Sequence, residues 1–202
     1  MSKILNALLK RWGPPAVKKR IWDKEYSSGK WDHRDPRSER TTERDIVLDV
    51  IEKYAEGLDI LDLGCGTGAT GLEIADRYRK YVGVDVSEVA VTKATSVVQE
   101  QAKQSKMKYM VGDVLSFVPN AMFSIILFRE SLYYCPDRNV EALLRRYSGY
   151  LSPGGVFIVR LHDRVRYDGL VQTIESSFSI QERIAPTGGK AIVLVFSPAQ
   201  KL

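Results

Sequence analysis

Four glycines and three aspartates mark the places where this chain could do chemistry. The stretch ILDLGCGTGATG, from Ile60 to Gly71, is an apolar run that breaks into a glycine loop, the pattern by which a strand hands a nucleotide to a helix. Gly66, Gly68 and Gly71 spell G-x-G-x-x-G, in which backbone amides and a helix N-terminus hold a pyrophosphate. Asp62, Gly64, Gly66 and Gly68 spell a second pattern, D-x-G-x-G-x-G. It adds an acid at the strand end, where the carboxylate can meet a cofactor's amino group directly or through water. Asp85 ends the next apolar run, at the distance where an acid accepts both ribose hydroxyls. It supports an adenosine cofactor without choosing one. Asp113 follows the third run, in MVGDVLSF.

These residues need elements to position them. The spacing of Ile46, Val47, Val50, Ile51 and Tyr54 predicts a helix from about Thr41, with Gly57 placed as its C-terminal cap. The runs LDILDL, KYVGVD, MKYMVG, FSIILF and GVFIVRL then read as strands, with amphipathic segments around 69–79, 88–103 and 138–151 between several of them. That alternation is the signature of a parallel sheet buried on both faces. LSPGG, at 151–155, reads as a turn into the fifth strand. A helix near 167–177 follows, and FSIQERI and KAIVLVF are joined by APTGG, too short a loop for a parallel return, so the sheet ends in an antiparallel hairpin. Ahead of all this, Pro14 and Pro15 end a short leader, and the stretch after them reads as a polar loop or short helix with aromatic punctuation.

Composition narrows the class. With 202 residues, the chain suits one α/β domain: residues 1–37 as a basic leader and lid segment, 38–202 as the domain. No apolar run approaches the roughly 20 residues of a membrane span. The net charge of +5 is local: Lys3, Lys10, Arg11, Lys18, Lys19 and Arg20 stand in the first twenty residues without an acid, and the remaining 24 Lys and Arg face all 25 Asp and Glu. Positive charge spread around a cleft, as a nucleic-acid enzyme would have, is not seen, and no DNA partner is expected. Cys65 and Cys135 make neither a disulfide framework nor a metal set, so we expect a cytoplasmic protein without a metal. Ile4, Leu5, Leu8, Leu9 and Trp12 could share one helical face, which suits peripheral contact with a membrane surface and equally suits packing on the domain.

From about residue 40 to 198 the chain resembles the class I S-adenosylmethionine-dependent methyltransferases, and YSSGKWD followed by ILDLGCGTG looks like small bacterial members acting on metabolites, glycans or lipids. The resemblance implies a Rossmann-like, doubly wound seven-stranded sheet with helices on both faces, and S-adenosylmethionine at the C-terminal ends of strands one to four. It places Gly64, Cys65 and Gly66, beside Gly68, along the methionine part, Asp85 and Val86 at the ribose and adenine, and Asp113 with Val114 at the adenine edge. Phe128 and Arg129 would close the cofactor side, and Tyr26 and Trp31 would fold over it as a lid. Asp62, Asp113 and the hairpin together disfavour a nicotinamide cofactor.

The acceptor is expected over the ends of strands one, four and five. FRESLYYCPD and RLHDR bring Glu130, Tyr133, Tyr134, His162 and Asp163 there. Glu130 and His162 are candidate general bases, with Tyr133 beside them; each has a bland reading too, as ion-pair partner, solvent-facing imidazole or packing ring. The expected reaction is methylation of a small molecule or a glycan or lipid-linked precursor, more at oxygen than at nitrogen. A protein or RNA methyltransferase and a non-catalytic cofactor-binding protein are the alternatives.

Overall fold

The computed structural model describes residues 3–31, 46–55, 58–74, 77–101 and 105–199. Strands β1 (Leu58–Leu63), β2 (Tyr78–Asp85), β3 (Met107–Val111), β4 (Phe123–Arg129), β5 (Leu151–Leu161), β6 (Phe178–Ile184) and β7 (Ile192–Pro198) form one sheet in the order β3-β2-β1-β4-β5-β7-β6. The first five run parallel; β7 pairs antiparallel with both β5 and β6. The expected mostly parallel sheet with its terminal hairpin is what the chain forms.

Side chains of a strand alternate between faces, and the central strands bury both. Ile126 and Phe128 of β4 join Leu61, Leu63 and Phe157 in a core on one face. That core is covered by Leu143, Leu144 and Tyr147 of α6 (Asp137–Ser148) and Leu170 and Ile174 of α7 (Asp168–Ser177). Ile125 and Leu127 point the other way, with Ile60, Ile158 and Val195, under Val47 and Ile51 of α3 (Ile46–Ala55) and Val98 of α5 (Glu88–Glu100). Between β1 and β4 the strand order reverses, which opens a crevice at the strands' C-terminal ends.

Three local expectations differ. The stretch after Pro14, read as a polar loop or short helix, is a helix of 13 residues. Pro15 opens α2 (Pro15–Ser27), where its missing N–H is one that a first turn leaves unpaired anyway. Lys3–Trp12 forms α1 before it, which packs on α2, and α2 packs on α5. The segment LSPGG is not a turn: it is the start of β5, with Leu151 opposite Phe123 and an irregularity in the pairing that follows. Gly154, at φ +75°, and Gly155 permit this, since a Cβ at Gly155 would lie 2.9–3.2 Å from the carbonyl oxygens of Ser152, Ser124 and Phe123. Helix α4 covers only Ala69–Glu73, because Tyr78 already belongs to β2. Gly57 and the residues from Thr41 to Arg44 lie outside the described residues.

Candidate active site

The glycine loop leaves β1 at the switch point. Gly64, Gly66 and Gly68 all have positive φ, and the amides of Gly64 and Cys65 turn back to the Val84 carbonyl of β2. A Cβ at Gly64 would fall 2.4 Å from Ser131 Cβ, and one at Gly68 would fall 2.5 Å from the Tyr109 hydroxyl oxygen. The sequence GCGTG is therefore demanded by both backbone conformation and space.

Below the loop sit two buried acids. Asp62 is 1% exposed; its Oδ2 accepts from the Tyr81 hydroxyl, while Oδ1 has no hydrogen-bond partner among the described residues. Burial pushes its carboxyl up to about 7, against the opposing pull of the Tyr81 hydroxyl and Arg129. Asp85 accepts from the Gly66 amide on Oδ2 (2.9 Å) and the Ser87 amide on Oδ1 (2.9 Å), and burial raises it to about 6. A buried carboxylate oxygen under a glycine loop with no partner among the described residues can accept from a bound ligand's ammonium or from water. Cys65 turns its thiol inward against the position of Gly83, where burial raises it well above its ordinary range, so only its backbone is available to a ligand.

The N-terminal helices lie across this end of the sheet. Lys18, almost fully buried, bonds Asp113 Oδ2 at 3.1 Å, while the Leu115 amide takes Oδ1. Asp23 accepts from the Ser87 hydroxyl (2.7 Å) and the Val89 amide (3.2 Å) at the start of α5, and Lys19 bridges Asp23 and Glu88. The Tyr26 hydroxyl reaches the glycine loop, 2.9 Å from where a Gly66 Cβ would stand. Trp31 donates from Nε1 to Glu25 and clusters with Trp22 and Tyr26; Trp22 meets Tyr134 edge-on at 4.9 Å. Tyr26 is thus brought to the loop, with Trp31 packed beside it. Lys18, Asp23 and Trp22, which hold this segment down, were not legible: their partners lie 64 to 112 positions away.

Two expected cofactor neighbours need correction. Phe128 is fully buried in the core, edge-on to Tyr147, because the alternation along β4 points its ring under α6. Arg129 turns to α4, where it bonds Thr70 and Glu73 at 3.0 and 3.3 Å. The Phe128 ring therefore does not reach the cleft, while Arg129, held on α4, still acts on Asp62. Val86 is half-buried after β2, and Val114 packs on the core while its carbonyl accepts from Arg146 and Tyr147. Asp113 is at the end of β3 as expected, but a ligand amino group there would share the carboxylate with Lys18.

On the acceptor side, Glu130 is the one non-glycine residue at positive φ among the described residues (60°), just past β4. Its carboxylate is 5% exposed and collects three donors. Arg160 bonds Oε1; the Tyr133 hydroxyl donates to Oε2 at 2.9 Å, and His162 Nδ1 lies 2.6 Å from Oε2. The His162 side chain is 45% exposed, and its ring stands edge-on to Tyr133 and Tyr167, which stack on each other at 4.5 Å. A carboxylate at Nδ1 favours the proton on that nitrogen, which leaves Nε2 as a proton acceptor toward the open side. Asp163 plays no part: its Oδ1 takes the amides of Val165 and Arg166, closing a turn. Arg160 and Tyr167 were missed, although Arg160 sits two residues before His162 and so on the same face of β5.

Residues 60–155 match the family described as Methyltransferase domain. Residues 60–155 are thus similar to the methyltransferase domain of the class I S-adenosylmethionine-dependent enzymes. The chain is 27% identical over 139 residues to the 27-O-demethylrifamycin SV methyltransferase of Amycolatopsis mediterranei (strain S699), covering 67% of this chain and 50% of that one. It is 28% identical over 125 residues to the ubiquinone biosynthesis O-methyltransferase of Idiomarina loihiensis, covering 60% and 51%. In fold it is similar to the N-methyltransferase NodS of Bradyrhizobium japonicum WM9, solved with S-adenosyl-l-homocysteine, at a TM-score of 0.65 and 17% identity, over 88% of this chain and 100% of that one. The chain spans about half the length of the two curated relatives. S-adenosylmethionine is the cofactor of such domains, and the orphaned Asp62 oxygen beneath the glycine loop fits its amino group.

Proposed function

We propose that the protein methylates a hydroxyl oxygen of a small molecule, with His162 as general base. The supporting observation is the pairing of a half-exposed imidazole with a buried carboxylate at 2.6 Å. S-adenosylmethionine supplies an electrophilic methyl group on a sulfonium, and transfer is an in-line displacement, so the protein's main tasks are alignment and exclusion of water. A neutral amine attacks unaided, whereas an alcohol must lose its proton as the bond forms. His162 Nε2 takes that proton, and Glu130 at Nδ1 holds the ring and offsets the positive charge that develops on it. Tyr133 and Arg160 fix the Glu130 carboxylate from its other sides.

On this reading Asp62 and the glycine loop Gly64–Gly68 hold the methionine end of the cofactor, and Asp85 with Val86 holds the ribose. Tyr26, Trp31 and Trp22 exclude water from above. Relatives whose names state an O-methyltransferase or an O-demethylated acceptor support the choice of oxygen.

The test is a panel of phenols, alcohols and amines assayed with the wild type and His162→Asn, alongside calorimetric titration with S-adenosylhomocysteine. The expected outcome is unchanged cofactor binding and a loss of hydroxyl methylation of about 10²- to 10⁴-fold. Turnover of amines alone, indifferent to His162→Asn, would sink the oxygen reading.

A further inference from the structure

Helix α1 is mounted with its polar side inward. Asn6 and Lys10 face the protein: Lys10 is buried against Glu25 at 2.7 Å and lies 3.7 Å over the Trp22 ring, while Asn6 Oδ1 is buried with no hydrogen-bond partner among the described residues. Outward stand Ile4, Leu5, Leu8 and Trp12, exposed by 75, 44, 53 and 49%. Rotating the helix half a turn would bury four large apolar side chains and return an ammonium and an amide to water, both favourable. The orientation observed is instead held by Lys10–Glu25, the stacking on Trp22 and the Arg11 bond to the Cys135 carbonyl (3.2 Å). A helix fixed in this way keeps its apolar face for something outside.

We propose that this face of α1 docks on an anionic lipid surface. The rim is cationic. The Arg138 guanidinium lies 4.8 Å over the Trp12 ring, and Arg11 lies 6.0 Å from it. Asp137, the acid beside them, is already paired by Arg11. Lys3 adds a further base in sequence, and residues 1–20 contain no acid at all. An apolar stripe ending in Trp and flanked by cations is the pattern of a helix that lies in the headgroup plane. A second copy of the chain fits less well: a ten-residue helix about 15 Å long falls short of the roughly 800 Å² per partner that a stable dimer needs, and like-charged rims would meet. The position gives the surface a use. Helix α1 packs on the short 3-10 helix Leu132–Tyr134, which carries Tyr133 of the acceptor site, so docking would set the acceptor entrance beside the lipid. That last point, and only that, rests on the proposed function.

The test is flotation of the full chain with vesicles of phosphatidylcholine alone and of phosphatidylcholine with phosphatidylglycerol, for the wild type and for Leu5→Gln/Leu8→Gln, with thermal melting and sedimentation velocity on both. Its readout does not depend on methyl transfer, so it stands or falls apart from the assignment of His162. The expected result is binding to the anionic vesicles only, weakened by salt and reduced about tenfold or more in the variant, with both proteins monomeric and equally stable. Binding to neither vesicle, equal binding to both, or unchanged binding of the variant overturns the proposal. So does a dimer that the variant dissolves, which makes the face a self-association surface, or a lower melting temperature in the variant, which means that the chain itself covers the face.

Discussion

Asp62 shows how one side chain couples the site to pH. Its carboxyl is raised to about 7, so between its unfolded value near 4 and about 7 the folded protein binds more protons than the unfolded chain. Stability therefore falls as pH rises through that window. Asp85, raised to about 6, acts in the same direction. Melting of the cofactor-free protein is expected to drop from about pH 5 to pH 8, and Asp62→Asn to flatten that decline. A ligand ammonium favours ionised Asp62, so wild-type affinity for S-adenosylhomocysteine should instead rise with pH over the same range. Calorimetry at several pH values checks both, and an affinity that falls with pH removes Asp62 from the amino-group role. At Glu130 the expectation concerns rate: Glu130→Gln leaves a neutral acceptor for His162 Nδ1 and lowers hydroxyl methylation about 10²-fold or more, measured as kcat with cofactor binding as the control.

Among the elements, α2 is the piece whose attachment decides access. It reaches the body of the domain through Lys18–Asp113, Asp23 on the start of α5, and the Lys19 bridge. The first is buried, so removing one partner leaves the other as an uncompensated charge. Lys18→Met is expected to speed amide exchange of Pro15–Ser27 by an order of magnitude or more, and adding Asp113→Asn is expected to restore part of the protection. Exchange unchanged in α2 would show that Lys18 holds nothing. Strand β5 offers an independent check of packing. Gly155→Ala drives a methyl into three carbonyl oxygens and is expected to cost about 1–3 kcal/mol by denaturant unfolding without altering the acceptor site.

Over the whole molecule, charge distinguishes the partners. The bases of the first twenty residues are largely paired within the protein: Lys10 on Glu25, Arg11 on Asp137, Lys18 on Asp113, Lys19 on Asp23 and Glu88. A neutral small acceptor should therefore show a KM nearly independent of salt, whereas a macromolecule bound through phosphates would lose affinity steeply. Much of this molecule was legible before its fold was known. The alternation of apolar runs and helical stripes reflects local periodicity, and a parallel sheet buried on both faces follows from it. So does a glycine loop at the end of β1, because GCGTG can serve the backbone only where Cβ atoms have no room. The chemistry of Asp62, Glu130 and His162 could be guessed from strand ends. What the tertiary structure alone decided is which side chains meet. Phe128 was turned into the core under α6 by the alternation of β4, and Arg129 was tied to α4. Asp113 was shared with Lys18 from a segment that read as a loose leader, and α1 was set with its lysine in and its leucines out. Periodicity is written in neighbouring residues, but these contacts join positions from 15 to more than 100 residues apart, and a one-dimensional pattern carries no record of which distant charge or ring will fill the other half of a pair.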